Sequence, residues 1–257
     1  MSLPRLVAVM GGGDAAVTRS YATILEEDYG ADEVWPLVDI ASGTTIHAHV
    51  NSNRDGTLTG WDLQNAAGPV PGTSAPYSDG ANDCGNIYTS NGSDELADIF
   101  DPAEGSFLAW AKVQAASAWT DGESRHILTL GPNSNNRIVL LKNATDNTVI
   151  MSYKAGNHAD QVVYNPFSST DWFYIGMSWS VADDEVRAYL NGSQVGGTQT
   201  GLGTWAGDLT NALIGAYFST TAIWHGLLAY AAVKFGSVWT PTQFSEMHAA
   251  AATAGAD

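Results

Sequence analysis

The stretch Val186-Arg187-Ala188-Tyr189-Leu190-Asn191-Gly192-Ser193-Gln194-Val195 decides the fold class. Asn191-Gly192 supplies the two positive φ angles of a type I′ turn, so the segments on either side predict two antiparallel strands closed by a tight hairpin. Working outward, further β-type runs cover Val34–Val38, Cys84–Thr89, Ser106–Val113, His126–Leu130, Arg137–Lys142, Thr148–Lys154, Trp172–Ser180, Leu209–Ala216 and Leu227–Phe235. Each is bounded by clusters of Gly, Asn, Asp, Ser or Pro. Within one of them, Phe107, Ala109, Ala111 and Val113 form one face and Leu108, Trp110 and Lys112 the other, and only the second ends in charge. The inter-sheet core is therefore expected to hold Phe107, Val186 and Leu190. No helices alternate with the strands, which excludes a parallel α/β sheet and leaves an antiparallel sandwich or barrel.

Helices are expected only at the two ends. Tyr21, Ile24 and Leu25 recur at helical spacing between Thr18 and Asp28, with Thr18 or Ser20 as the cap. Thr240-Pro241 is a cap followed by a first-turn proline, with Phe244, Met247 and His248 after it at helical spacing. Before the first helix, residues 1–17 read as an arm: Leu6, Val7 and Val9 form a short apolar patch, and Gly11-Gly12-Gly13 is a hinge with too much backbone freedom to join a regular element. Residues 18–251 are then the domain and 252–257 a tail.

A chain of 257 residues with 44% hydrophobic and 14% charged residues, 27 Gly and 9 Trp suits one large all-β core. Ten basic against 27 acidic residues give a formal charge of -17, which repels phosphate backbones and anionic lipid, so neither nucleic acid nor membrane is an expected partner. Cys84 is the only cysteine; it rules out a disulfide framework and a thiolate zinc site within one chain and reads as a buried thiol. No apolar run reaches the roughly 20 residues that span a bilayer, and Leu6–Met10 is too short for a secretory core, so synthesis without a Sec signal is expected.

The order of these pieces resembles the laminin G-like and pentraxin-like members of the concanavalin A-type jelly rolls found in phage and bacterial surface proteins. The matching segments are Trp35-Pro36-Leu37 with Ala41-Ser42-Gly43-Thr44, then Ser78-Asp79-Gly80-Ala81-Asn82-Asp83-Cys84, then 107–113, 172–177, the 186–192 hairpin, Leu213-Ile214-Gly215, and Gly226-Leu227-Leu228-Ala229 with the last helix. The resemblance spans roughly 21–251 and implies an all-β, two-sheet antiparallel jelly-roll sandwich with short N- and C-terminal helices. It also implies calcium as a candidate cofactor: Asn82 and Asp83 match the first of two pentraxin ligand segments, whereas the second, Ala216-Tyr217-Phe218-Ser219-Thr220-Thr221, lacks a carboxylate.

No catalytic residues are expected. Glucanases on this fold place carboxylates at alternate positions of one strand, and no strand here does so; Asp183-Asp184-Glu185 precedes the hairpin as a polar turn, and the acids from Asp94 to Glu104 read as loop or short helical turn. No Gly-x-Ser-x-Gly elbow occurs. His47 and His49 would share a strand face, with no further metal ligand to name. Loop aromatics are the ligand candidates: Trp119, Trp205, Tyr217 and Trp224 could stack on a sugar, with Trp61 and Phe218 beside them. Two functions follow. One is a non-catalytic virion surface or assembly module, such as a phage head-decoration, head-fibre or tail-associated protein, that forms a homo-oligomer or docks on other virion proteins through Leu6, Val7 and Val9 and also binds glycans. The other is an extracellular carbohydrate-binding lectin module, with calcium assisting.

Overall fold

The computed structural model describes residues 18–40, 42–89, 92–144 and 146–257, leaving aside the side chains of residues 63–65 and 219. The expected arm, with Leu6, Val7 and Val9, lies outside the described residues. In chain order the elements are α1 (Tyr21–Glu27), β1 (Glu33–Trp35), β2 (Thr45–Ile46), β3 (Gly56–Thr59), β4 (Asp62–Ala67), β5 (Ser74–Asp79), β6 (Cys84–Asn86), α2 (Leu96–Ile99), β7 (Glu104–Val113), β8 (Arg125–Asn133), β9 (Asn136–Lys142), β10 (Val149–Ala155), β11 (His158–Tyr164), β12 (Phe173–Ser180), β13 (Glu185–Leu190), β14 (Ser193–Gln199), β15 (Asn211–Ile214), β16 (His225–Phe235) and α3 (Pro241–Ala250).

The strands form two antiparallel sheets. One runs β14-β13-β12-β7-β16-β5-β4, with β1 on the same edge of β16 as β5; the other runs β11-β10-β9-β8-β15-β6-β3-β2. The chain is thus the expected all-β jelly-roll sandwich. The hairpin that opened the reading is present, with Leu190 opposite Ser193 and positive φ at both Asn191 (48°) and Gly192 (76°). Between the sheets, Phe107, Val186 and Leu190 join Ile127, Ile138, Met151, Phe173 and Trp179 in one buried cluster. No helix among the described residues is long and apolar enough to cross a membrane.

The second face of β7 departs from the expectation that its charge implied. Leu108 and Trp110 do not meet water; they join Tyr174 and Tyr189 beneath α1 and α3. Phe244 of α3 stacks on Tyr189 at 3.8 Å between ring centroids, His248 stacks on Trp110 at 5.4 Å, and the Tyr21 hydroxyl donates to the Met247 carbonyl at 2.9 Å. Both helices begin as their sequences dictate: Ser20 accepts from the Thr23 N–H, and Thr240 and Gln243 form a reciprocal capping box behind Pro241. A third helix, α2, sits inside the chain rather than at an end, capped by Glu95 and Asp98 from the acidic run. The terminal helices seal the outer face of the first sheet, which leaves the outer face of the second open.

Candidate binding groove

One register row crosses the second sheet on its outer face, from Thr45 through Thr57, Asn86, Leu213, Thr129, Val139 and Ser152 to Gln161. A neighbouring row pairs Leu141 with Ile150 and Ile150 with Val163, and a third pairs Arg137 with Lys154. The alternate residues Ile138, Leu140, Met151 and Val162 point into the core, so strand parity fixes which side chains face outward. In β8 a bulge changes that parity. Ile127 and Leu128 both enter the core, and the extra residue lets His126 and Thr129 face outward.

The β15–β16 loop, Gly215 to Trp224, folds over the middle of this face. Ala216 and Ile223 bury Cys84 and Leu213 beneath it. Hydrogen bonds hold it down, among them Thr129 Oγ1 to the Ala216 carbonyl (2.9 Å), the His126 N–H to the Ala222 carbonyl (2.9 Å), Arg125 Nη1 to the Ile223 carbonyl (3.0 Å) and the Gly215 N–H to the Ile127 carbonyl (2.9 Å), and the Trp224 N–H closes the loop on the Gly215 carbonyl (2.7 Å). The loop stores backbone strain, with Thr220 at φ 53° and Ala222 at φ 49°. Left-handed backbone at non-glycine residues costs about 1–3 kcal/mol each and persists where the surroundings impose it, commonly at ligand sites.

Beside the loop a groove of about 380 Å³ opens over β8–β11. Its floor is Val139, Leu141 and Ile150, its polar groups come from Ser152, Gln161 and Asn143, and its wall is Tyr217 with His126 and Arg137. Arg137 Nη1 donates to the Tyr217 hydroxyl at 2.6 Å, and the guanidinium carbon lies 5.4 Å from the Tyr217 ring centroid, within cation–π range. The His126 ring lies 4.5 Å from the same ring. Because the Thr129 hydroxyl donates to Ala216, its oxygen accepts from His126 Nδ1 at 3.1 Å, which assigns the proton of the neutral ring to Nδ1. Burial, reinforced by the positive Arg137, pushes the His126 pKa down to about 3. A second hollow, of about 550 Å³, lies across Tyr217 and Phe218 and is walled by Asn133, Ser134 and Asn211. No Asp or Glu lines either recess.

Of the expected aromatic platforms, Tyr217 alone lines these recesses, with Phe218 beside it. Trp119 and Trp224 are corrections: both are fully buried. Each neighbours a turn in sequence, yet its ring fills the inter-sheet space, with Trp119 against Phe167 and Phe173 and Trp224 against Phe173. Trp61 is buried as well. Trp205 is half-buried and closes the core against Phe100 and Tyr153, with its indole N–H held by the Gly207 carbonyl. Sequence spacing could not reveal His126, Arg137, Ser152 or Gln161 as neighbours, because four strands bring them together.

The pieces expected to hold calcium do not converge. Asp83 is buried and accepts the Asp79 N–H through Oδ2, whereas Asn82 stands exposed. Burial raises the Asp83 carboxyl, and its Oδ1 has no partner. Among the described residues no group of three or more His, Cys, Asp or Glu side chains is placed to hold a metal ion. The turn from Asp79 to Asp83 bonds its own backbone, the Asp79 N–H to Asp83 Oδ2 and the Ala81 N–H to Asp79 Oδ1. The two expected histidines also part company, His47 turning to Asp55 and His49 to Glu26. The acids before the hairpin serve their turn: Asp183 bonds Ser180, Asp184 Oδ1 accepts the N–H groups of Gly201 and Leu202, and Glu185 pairs with Arg187.

No protein-family model and no curated protein matches the chain. Solved structures do match in shape. The botulinum neurotoxin serotype D binding domain superposes with a TM-score of 0.60 at 8% identity, over 84% of this chain and 51% of that one. The receptor binding domain of botulinum neurotoxin D gives 0.60 at 10% identity, over 84% and 52%. Trypanosoma rangeli sialidase, solved with the inhibitor DANA, gives 0.62 at 9% identity, over 85% and 32%. The chain spans about half the length of the toxin domains and about a third of the sialidase. At such identities the likeness is one of fold: a jelly-roll β-sandwich shared with a part of each.

Proposed function

We propose that this chain is a non-catalytic carbohydrate-binding module of laminin G-like type, whose site is the groove over β8–β11 walled by Tyr217. One observation carries the reading. The open sheet face combines an apolar floor, polar side chains fixed in register by the ladder, and an aromatic wall that a strained, hydrogen-bonded loop holds in place. Sugars present an apolar C–H face and a rim of hydroxyls, and this arrangement complements both. The receptor-binding role in a toxin domain's name and the inhibitor-bound state of the sialidase support the choice of a displayed, glycan-facing function.

Display on a virion is the setting that best uses this geometry. A module mounted through its helix-covered side would hold the groove outward, and many copies would multiply a weak single-site affinity. The site reads as calcium-independent, because its donors include no carboxylate. The test is a glycan array followed by calorimetry with and without a chelator. Binding should survive chelation, and Tyr217→Ala should weaken it by about 1–3 kcal/mol, the usual worth of an aromatic platform. An array that stays blank for a folded, multivalent sample refutes the proposal.

A further inference from the structure

We infer that the groove selects saccharides carrying a single carboxylate and that Arg137 receives it, an inference that rests on the groove being the glycan site. Arg19, Arg54, Arg125 and Arg187 each pair with an Asp or Glu; among the described arginines Arg137 alone does not. Its Nη1 is occupied by the Ser134 carbonyl (2.9 Å) and the Tyr217 hydroxyl (2.6 Å). Its Nε is buried without a partner. No described protein group accepts from Nη2. Nε has almost no exposed surface, so Nη2–H is the donor left for a carboxylate oxygen in the groove, through a charge-assisted hydrogen bond.

Charge placement points the same way. The chain carries 27 acidic against 10 basic residues, yet no carboxylate lines this groove. An unpaired cation beside the apolar floor of Val139, Leu141 and Ile150 sits where the local dielectric is low and an ion pair is strong. At long range the net charge of -17 repels a polyanion, so the ligand is a glycan with one acidic residue, uronic or sialic, rather than a polyuronate. Tyr217 positions the guanidinium by holding Nη1, which leaves Nη2 without a described partner.

The probes are 3′-sialyllactose, a glucuronyl-capped disaccharide, the methyl esters of both, lactose and a polygalacturonate, titrated against the full chain. Each acid should bind roughly ten- to hundredfold more tightly than its ester, the range for hydrogen bonds to charged groups. The stronger of the two acids identifies the sugar class. Arg137→Gln should erase the preference while the melting temperature holds, and Arg137→Lys should restore only part of it. Should Arg137→Gln fail to fold, Tyr217→Phe reads the same point, because it keeps the ring but frees Nη1 and should lower the acid preference. Esters that bind as well as acids, a preference that survives Arg137→Gln, or polygalacturonate as the best ligand would overturn the inference and leave the glycan site standing. Absence of binding by every probe overturns both.

Discussion

Lys142 has no exposed surface, yet it is a lysine, and its partner sets a sharp asymmetry between two substitutions. Its Nζ donates to Asp121 Oδ1 at 2.6 Å and to the Glu123 carbonyl at 2.7 Å, while Asp121 also pairs with Arg125 at 2.7 Å. Asp121→Asn leaves the buried ammonium without a counter-charge. Breaking a buried pair costs about 3–5 kcal/mol. The Asp121 side chain is 22% exposed and the Glu123 carbonyl remains, so the low end applies, about 3 kcal/mol. Lys142→Met removes the charge together with its desolvation, keeps the stem packed, and leaves Asp121 on Arg125; about 1 kcal/mol or less is expected. The double variant should resemble Lys142→Met. Urea denaturation at a constant m-value measures all three. If the two single variants cost the same, or if Asp121→Asn costs under about 1 kcal/mol, the pair behaves like a surface ion pair and the reasoning fails.

Four further outcomes follow. Burial opposes ionisation of Asp121, but hydrogen bonds from Lys142, the Glu123 N–H and Arg125 outweigh it and lower its pKa, so its contribution is present above the ordinary carboxylate range and lost as pH falls through the depressed value; Asp121→Asn should flatten that acid limb in pH-dependent urea melts. The unfolded His126 takes a proton near pH 6.5 and the folded one only near 3, so stability should fall between those values by up to about 1.4 kcal/mol per pH unit, a slope that His126→Gln removes. Phe244→Ala, which strips the ring stacked on Tyr189, should cost about 3–4 kcal/mol, and a loss under 1 kcal/mol would mean that α3 is not part of the core. Gly215 sits at φ 77° with Trp61 only 2.8 Å from where a Cβ would lie, so Gly215→Ala should destabilise by about 1–3 kcal/mol and weaken glycan binding as the loop shifts, which nuclear magnetic resonance shifts at Tyr217 would report.

The hairpin, most of the longer strands and both terminal helices were legible because their signals are local: an Asn-Gly turn, alternation, a cap followed by proline. β2 to β5 and the edge strand β11 were not. Residues 56–79 are rich in Gly, Asn, Asp and Pro, and β3, β4 and β5 hold their place through neighbours rather than propensity. The face of β7 that ends in Lys112 reads as solvent-exposed from alternation, and only tertiary packing shows that α1 and α3 cover Trp110. For the groove, Tyr217 was legible as a loop aromatic. Arg137 appeared only as the first residue of a strand, since parity along one strand cannot tell which face of a sandwich stays open. His126 was hidden for a different reason. A regular strand would set it on the same face as Leu128, and one bulge separates them.

The helix-covered side also brings distant parts of the chain together. Ser20, ahead of α1, bridges to Gly255, and the Ala22 N–H reaches Asp257 Oδ1 at 3.1 Å. Paired backbones lie about 5 Å apart, a gap that a few residues can close. The sequence can therefore be circularly permuted, joined across Ser20 and Gly255 and reopened at the Asn191-Gly192 turn, or grafted whole into a surface loop of a host protein. In either arrangement the new junction lies on the face opposite the groove, so a change of connectivity leaves recognition untouched.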